Sequence, residues 1–118
     1  MEEKRKSLRL YHKEFQNFTV HVSMPGTLLA GFPGDIAEFG MSVLIPGTET
    51  LALPASTDVG ITISSAHMSR PLLLSGRLVR QDVISLYNRD FRVLGIRFLE
   101  RVEWPDAMIA VDMMATAG

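Results

Sequence analysis

Hydrophobic and polar residues alternate with a period of two in three stretches of the chain. The apolar positions are Phe18, Val20 and Val22, then Val59, Ile61 and Ile63, and finally Leu94, Ile96 and Phe98. Because successive side chains of a strand point to opposite faces, the alternation predicts three half-buried β-strands. Two apolar runs, residues 41–45 and 72–79, predict central strands in addition.

Turn-forming residues separate these stretches. The turn signals are Pro25-Gly26, Pro33-Gly34, Pro46-Gly47, Pro54 and Asn88. Proline presets one backbone dihedral, and glycine or asparagine adopts the left-handed conformation that many turns require. Several short strands divided by such turns are typical of an antiparallel barrel or sandwich.

The C-terminal end follows a different pattern. Trp104-Pro105-Asp106 is typical of a helix start, since proline is tolerated in the first turn. The residues Trp104, Met108, Val111 and Ala115 then recur at helical spacing. We expect a helix that covers one end of the barrel. Its methionines favour core filling, and a partner surface is the alternative.

Composition narrows the class of protein. The chain has 118 residues, 47% of them hydrophobic and 21% charged, which suits one ordered domain with a real core. The absence of cysteine excludes disulfides, a zinc ribbon and a thiol nucleophile. A net charge of −1 argues against a general DNA or RNA binder. With no signal peptide and no membrane-length apolar run, we expect a cytoplasmic protein without a membrane span.

The basic residues are unevenly distributed. Five lie within the first 13 positions, none lies between residues 15 and 69, and seven arginines follow between residues 70 and 101. Arginine carries a planar fork of donors that suits phosphates and the O6/N7 edge of guanine. The plain alternative is that these residues only solubilise one end of the chain and the exposed strand faces.

Signals for catalysis are poor. The three histidines, His12, His21 and His67, are isolated in the sequence, so no pair has metal-ligand spacing. The chain contains neither a G-x-S-x-G nucleophile elbow nor a phosphate-binding loop. We therefore expect neither an enzyme nor a metal site.

Two short motifs stand in a defined order. The first is R-x-x-x-R at Arg5 and Arg9, and the second is D-x-A-x-x-G from Asp35 to Gly40. The stretches G-R-L-V-R at 76–80 and G-I-R-F at 95–98 follow. Together they resemble a single-domain member of the PilZ domain family over nearly the whole chain. That resemblance implies an all-β fold, a six-stranded antiparallel PilZ-like β-barrel with a short C-terminal helix, and binding of the bacterial second messenger cyclic di-GMP.

The resemblance also implies a set of ligand-binding residues. Arg5 and Arg9 would grip the phosphates and guanine edges of the ligand, and Asp35 would accept hydrogen bonds from a guanine. Gly40, which has no side chain, would let the backbone or a base of the ligand approach closely. The family's serine corresponds to Ala37, where no hydroxyl is available. We expect this loss to weaken binding of cyclic di-GMP without abolishing it.

These expectations divide the chain into three parts. Residues 1–14 form a flexible basic segment that carries R-x-x-x-R, residues 15–101 form the barrel, and residues 102–118 form the helix and tail. A receptor of this kind would relay ligand binding to an unknown downstream protein. One alternative is a degenerate adaptor that acts by protein contact without nucleotide. Another is an unrelated small barrel with a solvated basic tail.

Arginines on the later strands are further candidates. Arg77 and Arg97 alternate with apolar neighbours, so we expect both on the outside of the barrel, where the family binds its ligand. The position of Arg80 depends on the face that its strand presents.

Overall fold

A computed structural model of the protein describes residues 13–47, 56–86 and 88–117. Arg5 and Arg9 lie outside these described residues. The elements are a 3-10 helix (Lys13–Asn17), the strands β1 (Thr19–Met24), β2 (Thr27–Ala37), β3 (Gly40–Pro46), β4 (Thr57–Ser64), β5 (Leu72–Leu86) and β6 (Arg89–Phe98), and the helix α1 (Asp106–Ala117).

The six strands form a closed antiparallel barrel in the order β1-β2-β3-β6-β5-β4. The predicted fold class, an all-β six-stranded antiparallel barrel with a short C-terminal helix, is therefore confirmed. Tight turns join β1 to β2 and β5 to β6, where Gly26 and Asn88 adopt positive φ angles of 73° and 60°. No helix among the described residues is long and apolar enough to cross a membrane.

Side chains from all six strands fill the barrel. Phe15 and Phe18, which precede β1, and Met108 and Val111 of α1 join the same core. These four side chains are at most 7% exposed, so the helix and the 3-10 helix are anchored by buried apolar contacts. The predicted start of the helix and the core-filling role of Met108 are confirmed, but the same role is wrong for Met113, which is 63% exposed.

A second apolar cluster lies outside the barrel wall. It consists of Leu44, Leu86, Phe91 and Val93, with Phe32 and Ile84 packed against it. Leu44 lies between Val43 and Ile45, which point into the main core, so alternation directs Leu44 outward. Residues 91–96 of β6 are consequently buried on both faces.

Two sequence expectations need correction. Pro33-Gly34 is not a turn but lies inside β2, where the register with β3 shifts between Pro33 and Ile36. A bulge tolerates proline because the extra residue leaves the hydrogen-bond ladder. Residues 72–79 do form a strand, but Leu73 is 73% exposed and Val79 is 50% exposed, so this part of β5 is half-buried rather than central.

Candidate functional site

The β2–β3 hairpin brings together three residues of the D-x-A-x-x-G motif. Ala37 ends β2, Gly40 begins β3, and their Cα atoms are register partners. Asp35 lies two residues before Ala37 on the same strand, and it is partly buried. The motif therefore occupies one end of a single pair of strands.

The bulge in β2 positions Asp35 against Ser42 of β3. The Asp35 backbone N–H donates to Ser42 Oγ at 3.0 Å, and the Ser42 hydroxyl donates to Asp35 Oδ1. Ser42 is buried, with only 3% of its surface exposed. A buried hydroxyl that both accepts and donates in this way fixes the orientation of the Asp35 carboxylate and leaves Oδ2 for other donors.

These groups lie on the outer face of the barrel. Ser42 follows Met41 and precedes Val43, and both of those side chains point into the core. Alternation therefore directs Ser42, and Gly40 two residues earlier, outward. Since Asp35 bonds to the Ser42 side chain, its carboxylate is on the outer face as well.

The close packing of β3 against β6 requires a residue without a side chain at Gly40. A Cβ atom at this position would lie 2.8 Å from the Ile96 carbonyl oxygen on the neighbouring strand. That separation is shorter than real Cβ contacts, and backbone atoms cannot easily move aside. A larger residue at this position would therefore push β3 away from β6.

The turn between β2 and β3 is held by the segment that follows β6. Glu38 pairs with Arg101, with Oε2 at 2.5 Å from Nε, and this hydrogen bond, followed by the charge of Glu38, raises the pKa of Arg101. The Val102 N–H donates to the Glu38 carbonyl at 2.8 Å, and the Trp104 indole N–H donates to the Ala37 carbonyl at 2.8 Å. The segment of residues 101–104 thus fixes the backbone of the motif at Ala37 and Glu38.

Helix α1 approaches the site through Asp112. This carboxylate is partly buried, and its pKa is raised first by burial and second by the negative charge of Asp35. The 3-10 helix contacts both β2 and α1. The 3-10 helix, which follows Arg9 in the sequence, therefore packs against β2, the strand that carries Asp35.

Three residues of this region were not predicted from the sequence: Ser42, Trp104 and Arg101. Ser42 is a polar residue in an apolar run, which is a signal that could have marked it. Arg101 and Trp104 reach their partners over 63 and 67 residues, and no local pattern indicates such contacts. Among the residues with described positions, no group of three or more metal-ligating side chains lies together.

The outward placement expected for Arg77 and Arg97 is confirmed, and Arg80 also is exposed. Arg97 alternates with Ile96 and Phe98, which point into the core, so its side chain points outward on the strand next to Gly40.

Comparisons with known proteins give one structural likeness. No protein-family model matches the chain, and no curated protein matches it. The crystal structure of the Borreliella burgdorferi PlzA protein in complex with c-di-GMP matches with a TM-score of 0.55 and 19% sequence identity. The match covers 88% of this chain and 46% of that chain, so the likeness extends over less than half of the PlzA chain. The likeness shows a shared fold.

Proposed function

We propose that this protein is a receptor for cyclic di-GMP, with the ligand on the outer face of the β2–β3 hairpin. The observation that carries the proposal is the carboxylate of Asp35, which Ser42 orients beside the open surface of Ala37 and Gly40. The crystal structure of PlzA in complex with c-di-GMP, which shares the fold, supports the choice of ligand. Relay of the signal to a downstream protein is part of this proposal.

The chemistry of the ligand fits these residues. A guanine presents its N1–H and N2–H donors along one edge, and an ionised carboxylate accepts two such hydrogen bonds side by side. The site offers a fixed carboxylate beside Ala37 and Gly40, which carry a methyl group and no side chain, so a flat base can approach the backbone there.

Chain length is compatible with a contribution from the N-terminal arginines. Arg9 precedes Lys13, where the 3-10 helix begins, by four residues, and a stretch of four residues spans at most about 14 Å. The 3-10 helix contacts β2. We propose that Arg5 and Arg9 bind the phosphates and guanine edges from this side.

Calorimetric titration tests the proposal. We expect saturable binding of cyclic di-GMP, no comparable binding of GMP, and an affinity about tenfold to a hundredfold lower for Arg9→Ala, the effect of losing one charged hydrogen bond. No heat at several temperatures from a protein shown to be folded would refute the receptor and favour an adaptor that works by protein contact.

Restoring the missing hydroxyl is expected to strengthen binding. Ala37 is exposed at the end of β2, so Ala37→Ser adds a donor and acceptor without disturbing the core. One neutral hydrogen bond contributes about 0.5–1.5 kcal/mol, which corresponds to an increase in affinity of up to roughly tenfold. Calorimetric titration of Ala37→Ser with cyclic di-GMP measures this increase in affinity.

Ala30→Ser is the matched control, since Ala30 is also exposed on β2 but lies beside β1. An Ala37→Ser variant that binds no more tightly than Ala30→Ser would contradict a ligand contact at this position.

A further inference from the structure

Three arginines on β5 and β6, here called the arginine strip, lie beside the candidate site. They are Arg77, Arg80 and Arg97. The Cα of Arg97 is the register partner of Gly40 on one side and of Arg77 on the other. Ala37, Gly40, Arg97 and Arg77 therefore form one row across four neighbouring strands, and the side chain of Arg97 begins one strand spacing, about 4.8 Å, from Gly40.

The pairing of Arg77 with Arg97 is unfavourable in the absence of an anion. Like charges directly opposite each other on antiparallel strands destabilise a sheet. Asp58 compensates Arg77, with Oδ1 at 3.3 Å from Nε, and Asp82 lies 3.7 Å from Arg80. Within the described part of the chain, no carboxylate is paired with Arg97. One exposed guanidinium therefore remains available next to the site.

The surface around Arg97 leaves room for a ligand. Gly40 carries no side chain on one side of it, whereas Gly95, two residues earlier on the same face, is buried. The side chain of Arg80 lies across Gly95, with Cγ at 2.7 Å from the position that a Cβ atom would take. Ser42 of β3, which orients Asp35, is the register partner of Gly95 on β6. The arginine strip and the Asp35 carboxylate thus lie on the same outer face of the barrel, on either side of Gly40 and Ser42.

From this arrangement we infer that Arg97 binds a phosphate of the ligand on the barrel side of the site. The inference rests on the proposed function and adds to it. Cyclic di-GMP has two phosphates in one ring, and the guanidinium of Arg97 offers a phosphate two parallel donors. Arg77 and Arg80 are each paired with a carboxylate, Asp58 and Asp82, so Arg97 is the member of the strip assigned to the phosphate. The ligand is then held by arginines on two sides, the N-terminal pair and the barrel.

Titration of Arg97→Gln with cyclic di-GMP tests this inference. We expect affinity to fall about tenfold to a hundredfold, and we expect Arg97→Lys, which keeps the charge but lacks the fork, to recover part of the loss. Arg97 is exposed, and its replacement by glutamine removes the repulsion from Arg77, so Arg97→Gln should unfold at a temperature no lower than that of the unaltered protein. Arg89→Gln is the matched control, because Arg89 begins the same strand about 26 Å away and is exposed.

The outcomes separate the two proposals. Binding by the unaltered protein together with equal affinities for Arg97→Gln and Arg89→Gln would overturn the role of Arg97 and leave the receptor intact. Absence of binding by the unaltered, folded protein would overturn both. A loss confined to the Arg97 variants would support the barrel-side phosphate contact.

Discussion

Replacing Asp35 with alanine is expected to lower the affinity for cyclic di-GMP at least about a hundredfold. The change removes a carboxylate that accepts two hydrogen bonds from a guanine, and each hydrogen bond to a charged group contributes about 1.5–3 kcal/mol. Because Ser42 holds Oδ1, the carboxylate is oriented before the ligand arrives, and little entropy is lost in positioning it. Titration calorimetry measures the change.

A second substitution at the same position separates geometry from charge. Asp35→Asn keeps one acceptor but presents an NH₂ group, which opposes the guanine donors, so it is expected to bind nearly as poorly as Asp35→Ala. Asp90→Ala is the control, since Asp90 is an exposed residue of β6 that accepts from Ser85 at 2.7 Å. If Asp35→Ala bound as well as Asp90→Ala, the guanine would have to be recognised elsewhere.

Two of the three strands predicted from alternation, β1 and β4, have one face in the core, as expected of half-buried strands. In β1 and β4 the residues Val20, Val22, Ile61 and Ile63 are buried at alternate positions, so a period of two was sufficient. In β6 alternation is incomplete, because the outer apolar cluster buries the second face as well. Whether an apolar residue on the outer face is covered depends on packing between distant strands, which a local pattern does not contain.

The motif residues were singled out by the resemblance to the PilZ family and not by a local structural pattern. A hairpin turn of two residues follows Ala37 and pairs it with Gly40, so the motif lies at one end of a single pair of strands. The bulge that brings Asp35 to Ser42 was not predicted, since Pro33-Gly34 is typical of a turn. The row from Ala37 to Arg77 depends on the pairing of four strands and emerged only from the barrel register.

Removing the side chain of Phe15 is expected to destabilise the protein by about 3–5 kcal/mol, a large part of the stability of a small domain. Phe15 is fully buried in the 3-10 helix and packs edge to face on Phe18, with ring centroids 6.1 Å apart. It shares the main core with Met108 and Val111 of α1. Phe15→Ala leaves a cavity where three elements meet, and the melting temperature should fall by about 10–20 °C.

The same variant links stability to ligand binding. Phe15 anchors the chain directly after the segment that carries Arg9, so a loosened 3-10 helix raises the entropy cost of bringing that arginine to the ligand. Phe15→Ala should therefore bind cyclic di-GMP more weakly even at a temperature where it is folded. Phe39→Ala is the control for stability, because Phe39 is 54% exposed and its removal leaves no cavity. Equal melting temperatures for the two variants would mean that Phe15 does not anchor the 3-10 helix, and the N-terminal arginines would then lose their fixed point of attachment beside β2.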